Sequence, residues 1–95
     1  MVKHVVMYKL KEEAKDKADE LVGKFMSMRC RIEGLIDVCA GKDFKKEGRS
    51  YDVALIATLE SPEALEKYAV HPVHLPILAY AKTIVEKSHS VDFTE

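Results

Sequence analysis

Tyr68-Ala69-Val70-His71-Pro72-Val73-His74 gathers a phenol and two imidazoles around a proline, and it is the one stretch of the chain where titratable chemistry concentrates. A neutral imidazole can take a proton from the carbon beside a carbonyl, and a phenol can donate to the oxygen on which negative charge develops. Pro72 lacks a backbone donor and moves His71 out of helical geometry, so the stretch reads as a corner. Tyr68 closes one helix and His74 stands at the entrance of the next. There His74 feels the positive helix end, which disfavours imidazolium and keeps a neutral base available. A metal site fits poorly, because His71 and His74 are separated by a proline and no third ligand has a defined spacing. No cofactor is implied.

The elements that must position this corner follow from periodicity. Val2, His4, Val6, Tyr8 and Leu10 alternate with Lys3, Val5, Met7 and Lys9, the period of a strand. From about Lys11 to Ile32, Ala14, Ala18, Leu21, Val22, Phe25 and Arg29 fall on one helical stripe, and Gly34 offers a stop. Leu35 to about Phe44 reads as a second strand, Lys45 to Arg49 as a hairpin connection, and Ser50 to Glu60 as a third strand. Ser61 can cap a helix that carries Pro62 in its first position. Beyond Pro72, a further helix opens near Pro76 with Ile77, Ala81, Ile84 and Val85 at helical spacing, and Ser88 to Thr94 returns as a strand.

The order β-α-β-β-α-β, its last helical region divided, predicts a ferredoxin-like α+β sandwich with helices on one face of the sheet. Val5, Met7, Ala54, Ile56, Val91 and Phe93 then form an apolar second face larger than a soluble monomer leaves bare. A second copy closing face to face into a barrel would cover it, so a homodimer is expected.

Composition narrows the remaining classes. The 95 residues, 47% of them hydrophobic, make a single domain spanning 1–95 without linker or repeat. No apolar run approaches the length needed to span a bilayer, and the N-terminus lacks the pattern of a secretory signal, so a cytoplasmic location is expected. Cys30 and Cys39 match no zinc or redox spacing and read as reduced packing residues. With 15 basic and 16 acidic side chains and a net charge of −1, no global field draws nucleic acid or an anionic membrane. Lys42, Lys45, Lys46 and Arg49 read as a solvated hairpin tip.

Six segments together carry a family resemblance: Val2-Lys3-His4-Val5-Val6, Ile32-Glu33-Gly34-Leu35, Gly41-Lys42-Asp43, Tyr51-Asp52, Leu59-Glu60-Ser61 and the Tyr68–His74 corner. Over essentially its whole length the chain resembles the stress-responsive A/B barrel (Dabb) domains. The resemblance implies a dimeric α+β barrel. It implies little about activity, since the family holds heat-stable plant proteins, bacterial proteins of unassigned function and a polyketide-cyclising plant member that performs an aldol condensation. Carried over from that member, the essential tyrosine and histidine match Tyr68 and His74, a pocket histidine matches His4 and a supporting aspartate matches Asp92. Some relatives hold magnesium through backbone carbonyls matching Arg29, Ile32 and Leu35.

With these positions in place, His74 is expected to act as base, Asp92 to accept from its other nitrogen, and Tyr68 to serve as donor. Strand parity puts His4, Val6 and Tyr8 on the helix-covered side with Ser88, Ser90 and Asp92, and Val53, Leu55, Ala57 and Leu59 add an apolar wall. His4, Val6, Tyr8, Leu55 and Ala57 thus become candidate ligand contacts for a hydrophobic small molecule. Ser88, Ser90 and Tyr8 stand where the polyketide-cyclising member has aliphatic residues, so pocket size and polarity differ.

Each residue also has a purely structural reading. His74 with Asp92 would be a hydrogen bond tying the corner to the last strand, Tyr68 an amphipathic core residue, His4 a satisfied strand histidine, and His71 a corner cap. His89, on the opposite parity, reads as an interface or edge residue. Three functions therefore stay open: a cofactor-independent cyclase or isomerase, a non-catalytic ligand-binding or stress-response protein, and the haem or quinone-forming oxygenation chemistry of other dimeric α+β barrels.

Overall fold

Alternation in the N-terminal segment is realised as β1, Val2–Leu10, in the computed structural model, which describes residues 1–95. A 3-10 helix, Glu12–Lys17, leads into α1, Ala18–Met26; β2, Leu35–Lys42, and β3, Val53–Leu59, form a hairpin; α2, Pro62–Ala69, and α3, His74–Ile84, flank the corner; β4, Val85–Thr94, ends the chain. The four strands form one antiparallel sheet in the order β2-β3-β1-β4, so the fold is ferredoxin-like. No helix is long and apolar enough to cross a membrane.

Register explains the two faces. His4 lies opposite Ala57 on β3 and Asp92 on β4, and Val6 lies opposite Leu55 and Ser90. Val2, Val6 and Leu10 are buried together with Val53, Leu55, Ala57 and Leu59, while Met7, Ile56, Val91 and Phe93 are exposed on the other side. Leu21, Phe25 and Met28 seal the inner face from above, and the Phe25 ring stacks on Tyr8 with centroids 5.2 Å apart. The helices leave β4 uncovered. After Val85 every residue of that strand is exposed, although it is hydrogen-bonded to β1 along nearly its full length.

Several boundaries differ from the sequence expectation. Regular helix in the first helical region stops at Met26, because Ser27 to Cys30 form a turn in which Cys30 takes a positive φ of 65°. The buried stripe continues through Met28, not Arg29, which is exposed and reaches back to the Val38 carbonyl at 3.1 Å. Gly34 has a φ of 87°, and a Cβ there would stand 2.9 Å from the Ala64 Cβ, so its role is a tight turn packed on α2. Val85 belongs to β4, and the β2–β3 connection runs from Asp43 to Asp52. Cys30 and Cys39 are exposed and are not packing residues: the first lies in the turn, the second alternates outward from buried Val38.

Asp52 locks this connection to β1. Its carboxylate accepts from the Leu10 N–H at 2.8 Å and from the Lys15 ammonium at 2.7 Å. Burial pushes the carboxyl up, but the hydrogen bonds from Lys15 and Leu10 and the charges of Lys15 and Lys46 outweigh it and hold the pKa below its ordinary value. Such a group contributes stability that is complete above the unfolded pKa, about 4, and is lost as pH falls through the lower folded value. Asp52→Asn is expected to destabilise the protein by about 1–3 kcal/mol at neutral pH and to flatten the acid limb of its stability profile. Urea unfolding between pH 3 and 7 checks both, and an unchanged midpoint would contradict them.

Candidate active site

The corner forms because Ser61, Pro62 and Pro72 punctuate the chain. The Ser61 hydroxyl accepts from the Ala64 N–H at 3.1 Å, Pro62 opens α2, and the helix ends at Ala69. His71 completes the turn: its Nδ1 accepts from the Val73 N–H at 3.0 Å, and its carbonyl accepts from the N–H groups of His74 and Leu75, both at 2.9 Å. Its assignment as a corner residue therefore has a local hydrogen-bond basis.

Tyr68 lies at the centre of the aromatic group. Its ring stacks on His74, with centroids 4.4 Å apart and planes at 30°, and meets the edge of His4 at 5.8 Å and 65°. Tyr68 is 1% exposed and its hydroxyl has no hydrogen-bond partner. Burial first, and then the nearby Tyr8 phenol, push its pKa far above the ordinary value for tyrosine. Burial also pushes Tyr8 up to about 12. Tyr68 is thus a protonated donor at neutral pH with nothing to donate to.

His74 carries the opposite potential. Its Nδ1 lies 3.2 Å from the Ala69 carbonyl, and since a carbonyl only accepts, that nitrogen bears the proton and Nε2 keeps its lone pair. Burial is the largest cause of a lowered pKa at His74; the Ala69 hydrogen bond opposes it, while His4 and His71 reinforce it. The ring is a neutral base with one free nitrogen. The principal cause is burial, where the sequence pointed to the helix end.

Asp92 does not hold His74. Its carboxylate bonds Nδ1 of His4, the residue directly across from it in the β1–β4 pairing. The physical reason is topology: β4 lies against β1, whereas the corner satisfies His74 from its own backbone. This imidazole–carboxylate pair was within reach of the sequence, because both residues share parity and the ferredoxin-like order makes their strands neighbours.

The expected apolar wall is placed differently from an open pocket. Val6, Leu55 and Ala57 are 6%, 1% and 0% exposed and belong to the packed core. Tyr8 is half-buried against Phe25, and His4 is half-buried beside Tyr68. The four main cavities are lined by neither Tyr68 nor His74. One of them, of about 200 Å³, does reach Asp92 and runs between α2 and β4, bordered by Val2, Pro62, Leu65, Phe93 and Thr94. Sequence periodicity gave no sign of it. On the outer face, His89 lies 5.8 Å from the Tyr51 ring, in keeping with its parity. Arg29 and Ile32 lie in the turns beyond the end of α1, Leu35 opens β2, and the Ile32 carbonyl accepts the Leu35 N–H at 3.2 Å.

Known proteins resemble the chain along its whole length. Olivetolic acid cyclase from Cannabis sativa is 30% identical over 98 residues, spanning 98% of this chain and 95% of that protein. A crystal structure of an Arabidopsis thaliana protein superposes with a TM-score of 0.85 at 26% identity, covering 100% of this chain and 95% of that one. A dimeric protein of unknown function and ferredoxin-like fold from Bacteroides fragilis superposes with a TM-score of 0.88 at 21% identity, covering 99% and 95%. The family model for the stress responsive A/B barrel domain matches residues 2–95, and the chain belongs to that Dabb family.

Proposed function

We propose that this protein is a homodimeric enzyme that moves protons on a small carbonyl-bearing molecule, a cyclase or isomerase with His74 as base and Tyr68 as donor. The observation that carries this reading is the Tyr68 hydroxyl, buried and unpartnered beside a neutral imidazole. An unmade buried hydrogen bond costs about 1–3 kcal/mol, and a bound carbonyl oxygen would recover it. The proton beside that carbonyl passes to Nε2 of His74, the C–H electron pair moves onto the carbonyl oxygen, and Tyr68 holds the enolate so formed. Return of the proton to another carbon isomerises the substrate; attack of the enolate carbon on a second carbonyl closes a ring. Likeness to a cyclase supports the second outcome.

The dimer is part of this reading. Met7, Ile56, Val91 and Phe93 are 45%, 41%, 57% and 47% exposed on one sheet face, and β4 is bare on both sides. A second copy covers such a face most economically. Two exposed, unpaired cysteines accord with a reducing, cytoplasmic location.

A second reading, a stable non-catalytic ligand-binding or stress-response protein, is favoured by one fact: Val6, Leu55 and Ala57 close the core where a pocket was expected. Deuterium uptake at the carbons flanking the carbonyl of 2-heptanone, followed by NMR in D2O, separates the two. Exchange faster than in matched imidazole buffer supports the enzyme; exchange at the buffer rate supports the ligand-binding protein.

A further inference from the structure

We propose that the hollow in the outer sheet face beside the β2–β3 connection is the seat of β4 from a second copy of this chain, with Lys87 of each protomer on Asp43 of the other. This rests on the dimer reading given above and adds to it which edges meet and in what orientation.

The hollow exists because two small residues stand side by side. Gly41 lies opposite Ala54 on β3, and both belong to the outer face with exposed Cys39 and Ile56. A Cβ added at Gly41 would meet nothing within 4 Å. Met7, Phe44 and Tyr51 wall the space, which amounts to about 400 Å³. Phe44 is 92% exposed, so this wall gains contacts only if something enters beside it. Through Met7 the hollow runs into the exposed apolar face, so a partner covering that face also reaches the hollow.

Strand register decides which part of the second copy arrives there. On the outer face Gly41, Ala54, Met7 and His89 form one row, and Cys39, Ile56, Val5 and Val91 form the next. At the connection the Asp43 N–H donates to the Asp52 carbonyl and the Asp52 N–H to that of Tyr8, which brings Asp43 level with Lys9 and Lys87. Asp37 and Phe93 share the row at the opposite end. The hollow thus sits at the β2 edge of the sheet, and bare β4 is the other edge.

Two orientations of an isologous axis bring the outer faces together. An axis along the strands, between β3 and β1, lays each edge on the opposite edge of the other protomer at the same height. His89 and Val91 then meet the hollow, and Lys87 meets Asp43. An axis across the strands reverses the rows and sets Asp43 against Asp37, carboxylate on carboxylate. Charge selects the first orientation.

The two charges are also free to pair. One Asp43 oxygen accepts from the Lys46 N–H at 2.7 Å, and the other has no partner. Lys87 has no carboxylate partner in its own chain, only the Tyr51 ring 5.8 Å away. A two-fold axis makes the bridge twice, and it is the bridge that fixes register.

Sedimentation equilibrium of the full chain tests this by charge exchange. Lys87→Glu and Asp43→Lys are each expected to weaken the dimer about 100-fold, since each sets like charges together twice. An equal mixture of the two variants is expected to recover the affinity of the unaltered protein, because every 43–87 contact in the mixed pair joins opposite charges. Gly41→Leu, whose added carbons fill open space in the protomer, is expected to weaken the dimer about 10-fold by occupying the hollow. It leaves the Lys46 cap intact and so reads the interface even if Asp43→Lys loosens its loop. Single variants that pair as tightly as the unaltered protein, a mixture no tighter than its components, or an unaffected Gly41→Leu dimer would each overturn the proposal. Dissociation by Ile56→Asp in those cases would leave the dimer reading standing. A monomeric unaltered protein would sink both.

Discussion

Replacing His74 with Gln is expected to slow α-proton exchange on 2-heptanone by about 10²–10⁴-fold, while the protein stays folded and its assembly is unchanged. The size follows from the loss of a neutral base whose ring stacks on Tyr68, the residue with the unpartnered hydroxyl. Gln keeps an amide nitrogen able to donate to the Ala69 carbonyl, so the corner survives. A second consequence concerns stability. The folded pKa of His74 lies below its unfolded value, about 6.5, so the unfolded chain binds the proton more readily and stability falls as pH drops below that value. His74→Gln removes this contribution, and its urea midpoint is expected to change less between pH 7.5 and 5 than that of the unaltered protein. A variant with full exchange activity would contradict the catalytic role, and one with an unchanged pH profile would contradict the burial argument.

The second large effect is on assembly. Light scattering at micromolar concentration is expected to report twice the 10.7 kDa chain mass, and Ile56→Asp or Val91→Asp is expected to halve it. Both side chains are exposed on the outer sheet face, where an aspartate in a protomer is solvated and harmless. Burying it against an apolar partner surface leaves an unpaired charge, a loss of about 3–5 kcal/mol when a buried pair is broken being the nearest measured analogue, and here two such charges face the interface. A clean monomer of the unaltered protein would remove the dimer from the account. Dimeric charged variants would move the interface to another surface.

Much of the fold is legible in the sequence because its signals are local. Alternation in Val2 to Leu10 fixes which residues face the helices, and Ser61 with Pro62 fixes the start of α2. Helix length was less legible, since apolar spacing continues smoothly from Ala14 through Phe25 while the backbone passes from 3-10 helix to α-helix and then to a turn at Ser27. The positive φ of Cys30 that accompanies this stop has no residue-type signature, unlike that of Gly34. Within the site, the stacking of Tyr68 on His74 follows from the corner, and its residues announce the chemistry. The partner of Asp92 depends on strand register, a long-range property, and the competing local acceptor at Ala69 removes His74 from its reach. Closure of the core around Leu55 and Ala57 was equally hidden, because side-chain parity gives the face and not the packing above it.

Tyr68→Phe tests the central claim most directly, since it deletes the unpartnered hydroxyl and keeps the ring that stacks on His74. The substitution is expected to leave stability unchanged or raise it by about 1 kcal/mol, because no hydrogen bond is lost, and to slow 2-heptanone exchange about 100-fold. Loss of stability with exchange intact would show that the hydroxyl serves the fold and not a substrate.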